Sequence, residues 1–314
     1  DSFSQWDAGQ NLLLSVLLDL VEAVQQDKIL SLPTDLIEQF RHILTDEQAD
    51  PALVAKMLQL PSENYLAAQQ QPADVDAIHT ARSFVKQQLA ERLKPQLQAR
   101  YTALNTQQAY QFNADEMARR SLKNTCLSYL TAIGDPMEIQ RCLKQMKQSD
   151  NMTDTIAGLN CLADYEGPER EQALRAFYHQ WQDDKQVVDK WLAVQAQSNL
   201  PDTLIKVKGL MKHPAFNITN PNNIRALIGQ FCRNNPVRFH AIDGSGYQFL
   251  AEQIVVLDKL NPQIAARQLG AFNAWRQYDE QRQQLMKQAL NHIAGQTELS
   301  ADVYEIVTKY LAAA

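Results

Sequence analysis

No glycine occurs between Gln10 and Ile133, and the chain of 314 residues carries only ten. Tight β-hairpins depend on residues that accept positive φ, glycine above all. A run of this length without one argues against a fold of short hairpins and favours helices. Ala, Leu, Gln, Glu and Lys are abundant, and all are good helix formers. Hydrophobic residues make up 45% of the chain and charged residues 21%, which at this length suffices for a large core.

The apolar spacing bears this out along the chain. Leu12, Leu13, Val16, Leu17, Leu20, Val21 and Val24 predict one helix over Phe3 to Gln26. After Pro33, Thr34 reads as the N-cap of a second, with Leu36, Ile37, Phe40, Ile43 and Leu44 on one face. A third, short helix starts at Pro51 and stops before Leu60-Pro61, because the residue before proline avoids the α region. From Pro72 a long helical segment runs towards Thr106, kinked at Pro95. Met117, Leu122, Cys126, Leu127 and Leu130 make the segment Ala114 to Ala132 amphipathic. Its pair Arg119-Arg120 reads as surface charge, solvated or ion-paired. Later starts are marked by Pro136, Asn151 with Thr153, Pro168, Lys185, Pro201-Asp202, Asn220-Pro221, Asn261-Pro262 and Ser300.

The count is about fifteen helices with short connections, which makes consecutive helices antiparallel neighbours. The expected fold class is therefore all-α, an α-α superhelix of HEAT or armadillo type. No strict sequence repeat is visible, which argues against a regular TPR or ankyrin array. No shift in composition marks a linker, so one domain over residues 1–314 is expected.

The net charge is −6, with no basic run and no interleaving of arginine with aromatic residues, so nucleic acid is not an expected partner. No window approaches ~18 consecutive apolar residues, so no membrane-spanning helix is expected. The opening DSFSQWDAGQ lacks an initiator Met and has no signal-peptide shape, and reads as part of a longer cytoplasmic protein. Cys126, Cys142, Cys161 and Cys232 show no CxxC spacing and read as free thiols in helices.

The chemistry usually carried by motifs is missing. None of His42, His79, His179, His213, His240 and His292 is followed by Glu, and no pair has the i, i+4 spacing of a helical zinc site. The GSG at Gly244–Gly246 lacks the lysine and preceding strand of a phosphate loop, and no GxSxG is present. On its own residues the chain is catalytically incomplete, and no metal or other cofactor is expected in it.

The densest punctuation lies between Asn217 and Arg282. Asn220-Pro221 and Asn261-Pro262 each pair a cap with proline at the first helical position. Arg225 and Arg267 follow within the first turns, and Gln263 shares a face with Arg267. With one helix, from about Tyr247 to Leu260, running between them, the two Asn-Pro helices are expected to be parallel, their N-termini on one rim. Such a rim favours anions. Two readings stay open on pattern alone: a ligand-facing wall, or arginines paired with surface carboxylates. His240, beside Phe239 and Tyr247, reads as a satisfied core histidine.

Longer segments carry a resemblance. NMTDTIAGLNCL, VVDKWLAVQAQS, KHPAFNITNPNNIRALIGQF, FHAIDGSGYQFLAEQIVVLDKLNPQIAARQ, WRQYDEQRQQLM and LSADVYEIVTKYL resemble the C-terminal domain of the bacterial aminopeptidase N family, zinc-dependent gluzincins. The opening decapeptide resembles the junction with that family's middle β domain, departing from it at Gln5, where a basic residue is usual. The resemblance implies a helical superhelix that caps an active site and encloses a large cavity. It implies that zinc, the HExxH…E site and the chemistry belong to a thermolysin-like domain outside this chain. Partners would be the catalytic and β domains of the same polypeptide, and peptide substrates. It also implies that Arg225, Gln263 and Arg267 face the cavity and contact the substrate peptide beyond the scissile bond. The alternative from a different class is a free-standing helical scaffold that binds protein partners.

Overall fold

The computed structural model describes residues 2–106 and 108–312; the side chains of Ser2, Phe3 and Gln5 lie outside the described residues, and with them the junction contact expected at Gln5. Among the described residues every regular element is helical, beyond one isolated bridge between Ala73 and Tyr278. The described residues form nineteen α-helical segments, more than the expected fifteen. The surplus comes from short pieces such as Glu63–Ala67 and Pro236–Phe239, and from interruptions inside longer runs.

Side-chain caps place most of the starts. Asn113 accepts from the N–H of Glu116, Asp135 from Met137, Asn151 from Asp154, Asp184 from Gln186 and Asp279 from Arg282, all at 2.9–3.0 Å. Each cap contributes ~1 kcal/mol by satisfying an N–H that has no partner inside the helix. Ser300 caps Ala301–Ala312 through the N–H of Val303 at 3.2 Å. Thr34 does not cap its helix. Pro33 occupies that position without a side-chain hydrogen bond, and Thr34 is already the first helical residue. The segment read as running on from Pro72 is two helices, Val75–Arg92 and Lys94–Leu104, broken at Leu93 just before Pro95.

The chain divides into two compact units, one comprising residues 1–66 and 76–175, the other 67–75 and 176–314. In the first, Ala114–Ala132 packs against Pro51–Met57, Lys94–Leu104, Pro136–Gln148 and Met152–Cys161. Its core is aliphatic: Leu17, Leu44, Leu66, Leu122, Leu127 and Leu130 have no exposed surface. In the second, Ser245–Leu260 packs against Pro262–Leu269 and Glu280–Ala294, and both of those against Ala301–Ala312. Its core is aromatic. Phe231 meets Phe249 edge-on at 5.7 Å and Phe239 at 6.3 Å, and Phe239 meets Tyr247 at 5.3 Å. Such pairs add about 0.5–1.5 kcal/mol each beyond their buried area. The segment 67–75 joins this unit through Gln277, whose carbonyl accepts from the N–H of Ala73 at 2.7 Å while its side-chain amide donates to the carbonyl of Ala67.

The arginine pair read as surface charge is not on the surface. Arg120 is 2% exposed and Arg119 is half-buried. Backbone carbonyls ahead of the helix meet them, with Arg119 donating to the carbonyl of Leu104 and Arg120 to that of Gln111. Both are ion-paired, through Glu116.

Candidate functional site

Both Asn-Pro starts form as their residues dictate. Asn220 accepts from the N–H of Asn222 at 3.0 Å and Asn261 from that of Ile264 at 3.2 Å, each with proline at the first helical turn. The first start is also pinned to a neighbour. Buried Asn223 donates to Asp189, on the helix Lys185–Ala196, at 2.6 Å, and accepts from the N–H of Asn217 at 2.8 Å. At the far end Asn235 donates to the carbonyls of Ala196 and Ser198.

Between these anchors the helix does not stay α. Pro221–Ile224 passes into one π turn, Arg225–Gly229, before returning to α over Gln230–Asn234. Single π turns inside helices recur at functional sites because the inserted residue re-aims the side chains around it. Here the residue at the turn's start is Arg225, whose guanidinium is exposed and donates to the side-chain oxygen of Asn222 at 3.2 Å.

Gly229 ends the π turn and is the contact point with the second Asn-Pro helix. A Cβ there would lie 3.4 Å from the side-chain oxygen of Gln268 and 3.9 Å from Cγ of Arg225. Gln268 is 4% exposed, and that oxygen has no hydrogen-bond partner. Its neighbour Arg267 is exposed, and the Arg267 carbonyl accepts from Arg233, one turn beyond Gly229. Gln263, one turn earlier on Pro262–Leu269, is exposed on the same helix.

Arg225, Arg233 and Arg267 are all exposed, on the segments that flank the Gly229–Gln268 contact. Arg225 and Arg267 were singled out in the sequence, while Arg233, Gly229, Gln268 and the π turn were not. The available signal was Gly229 itself, an isolated glycine four residues after an arginine within a helical pattern. Planar guanidinium groups suit carboxylate and carbonyl oxygens, which they bind by two parallel N–H donors.

The turn between the two helices is structural. Gly244 has φ of +74°, and a Cβ on Gly246 would overlap the backbone of Phe239. His240 is buried, shares a hydrogen bond of 2.8 Å with the Tyr247 hydroxyl, and stacks on Tyr278 with ring centres 4.2 Å apart. Its carbonyl accepts from Arg282 at 2.7 Å. Burial, with the Arg282 charge behind it, pushes the imidazole down to about 3. It is neutral at physiological pH and serves packing.

Among the described residues no group of three or more His, Cys, Asp or Glu side chains is placed to hold a metal ion. The described donors therefore do not fit a zinc centre. No helix among them is long and apolar enough to cross a membrane.

Helices packed on helices throughout the described residues define an all-α repeat domain. The chain belongs to the family described as a domain of unknown function (DUF3458_C) of ARM repeats, whose model matches residues 1–312. That is the α-α superhelical class expected from the sequence.

The chain is 39% identical to aminopeptidase N of Escherichia coli (strain K12) over 312 residues, 99% of this chain and 36% of the relative. It is 35% identical to aminopeptidase N of Caulobacter vibrioides over 99% of this chain and 36% of that one. Among solved structures it is similar to Legionella pneumophila aminopeptidase A in complex with aspartic acid, with a TM-score of 0.90 and 28% identity, covering 100% of this chain and 37% of the other. The chain thus spans little more than a third of the length of these relatives, and it matches their C-terminal portion.

Proposed function

We propose that the chain is a single non-catalytic helical domain of a zinc aminopeptidase, and that Arg225, Gln263 and Arg267 contact the substrate peptide beyond the scissile bond. The observation that carries this reading is the alignment of the chain over 99% of its length with aminopeptidase N, with Arg225, Gln263 and Arg267 exposed on the two segments that start at Asn220-Pro221 and Asn261-Pro262. Exposed guanidinium groups beside helix starts offer charge-assisted donors to peptide carbonyls and to a C-terminal carboxylate. Zinc and the groups that activate water belong, on this reading, to a part of the polypeptide outside this chain, together with the β domain that joins them. The cellular location is the cytoplasm.

Reconstitution tests it. Alone, the chain is expected to leave an alanyl anilide intact and to retain no stoichiometric zinc after dialysis. Mixed with the separately produced remainder of the polypeptide, it is expected to restore cleavage. Hydrolysis or tight zinc binding by the chain alone, or no effect on the remainder, refutes the reading.

A further inference from the structure

The first unit holds a cavity of about 320 Å³ lined by residues 105–106 and 108–110 and by the helices Ala114–Ala132 and Pro136–Gln148. That volume lies at the small end of the range for ligand pockets. Five cations line it: Arg119, Arg120, Lys123, Arg141 and Lys144. In a chain of net charge −6 this is a local inversion of sign.

Most of these charges already have partners. Lys123 is bound to Asp154 at 2.5 Å with both side chains buried, and Arg141 to Glu138 at 2.7 Å. Arg119 takes both oxygens of Glu116, at 2.9 and 2.6 Å. Arg120 has the weakest pairing, a share of the same Glu116. It is 2% exposed, yet its nearest carboxylate oxygen is 3.6 Å away and already held by Arg119. Its two terminal nitrogens share one acceptor, the Gln111 carbonyl, at 3.3 and 3.2 Å, and the Tyr110 ring lies 4.9 Å from its central carbon. Asp150 also lines the cavity, accepting from Asn151 at 3.2 Å and from the N–H of Tyr110 at 2.7 Å, and these bonds together with the Arg120 charge hold its carboxyl below the usual range. A guanidinium removed from water that shares a single carboxylate with a second arginine is undercompensated, and a bound anion would complete it. Lys144, which is exposed, lines the same cavity and adds a second charge there.

We propose that this cavity binds a small multivalent oxyanion, bearing phosphate or carboxylate groups, through Arg120 and Lys144. The proposal stands on the first unit alone and does not depend on the aminopeptidase reading.

Calorimetric titration of the full chain at low salt with inorganic pyrophosphate, and separately with citrate, tests it. Saturable one-to-one binding of at least one probe, weakening as salt rises, is expected; the tighter probe assigns the group as phosphate or carboxylate. Arg120→Gln should abolish binding. Lys144→Glu changes only an exposed side chain and so preserves the fold, and it should weaken binding roughly ten-fold or more by reversing a charge near the ligand. No saturable binding of either probe at millimolar concentration overturns the proposal, as does unchanged affinity in Lys144→Glu.

Discussion

Replacing Gly246 by alanine should destabilise the second unit more than any other glycine substitution in the Ala241–Gly246 turn. Gly246 is buried at the second position of the helix Ser245–Leu260. A Cβ there would lie 2.9 Å from both Cα and the carbonyl carbon of Phe239, and closer still to its oxygen. All three are backbone atoms, so no rotamer change relieves the overlap. Phe239 is also held, with no exposed surface and its ring locked edge-on against Phe231 and Tyr247. Overpacking a core costs about 1–3 kcal/mol, occasionally more, and a backbone obstacle places this case at ~3 kcal/mol or above. Two controls calibrate it. Gly244→Ala forces a side chain to φ of +74°, at about 1–2 kcal/mol, with a displaceable Leu285 methyl as neighbour. Gly209→Ala meets nothing within 4 Å on an exposed helical position and should stabilise by about 0.4–1 kcal/mol. Urea unfolding followed by circular dichroism and tryptophan fluorescence gives the three values from midpoints at constant slope. A Gly246→Ala midpoint matching wild type, with unaltered slope, refutes the packing argument.

Other outcomes follow from buried polar groups. Lys123→Met leaves Asp154 buried without its cation and should cost about 3–5 kcal/mol in the same assay, partly recovered by adding Asp154→Asn. His240 binds protons less readily folded than unfolded, so its contribution is complete above about pH 6.5 and is lost as pH falls towards 3. Stability measured across that window should therefore fall less steeply in His240→Gln than in wild type. Tyr247→Phe removes the hydroxyl that satisfies His240 and should cost about 1–3 kcal/mol, read from the urea midpoint.

Much of the fold was legible because helices announce themselves locally. Asn151, Asn220, Asn261 and Ser300 act as the caps their sequences suggest, since capping needs only a short polar side chain at the right offset. Thr34 failed because Pro33 took the cap position, a competition that composition does not resolve. Glu63–Ala67 was missed because a helix of five residues has no room for periodicity. Arg119 and Arg120 were misplaced for a tertiary reason: they donate to the carbonyls of Leu104 and Gln111, and the sequence around those acceptors has no pattern that announces the contact. At the candidate site, Arg225, Gln263 and Arg267 stood out by their offsets from Asn-Pro. The π turn and the Gly229–Gln268 contact arise only when two helices meet, and no spacing within either one encodes them.

The most direct test of the proposed role compares two substrates in the full-length polypeptide carrying Arg267→Ala. One is a peptide with several residues after the scissile bond, the other an alanyl anilide with none. Loss of a charge-assisted hydrogen bond of about 1.5–3 kcal/mol should lower kcat/KM for the peptide roughly ten-fold to a hundred-fold and leave the anilide nearly unchanged. Equal losses for both substrates, or no loss for either, would contradict a contact beyond the scissile bond.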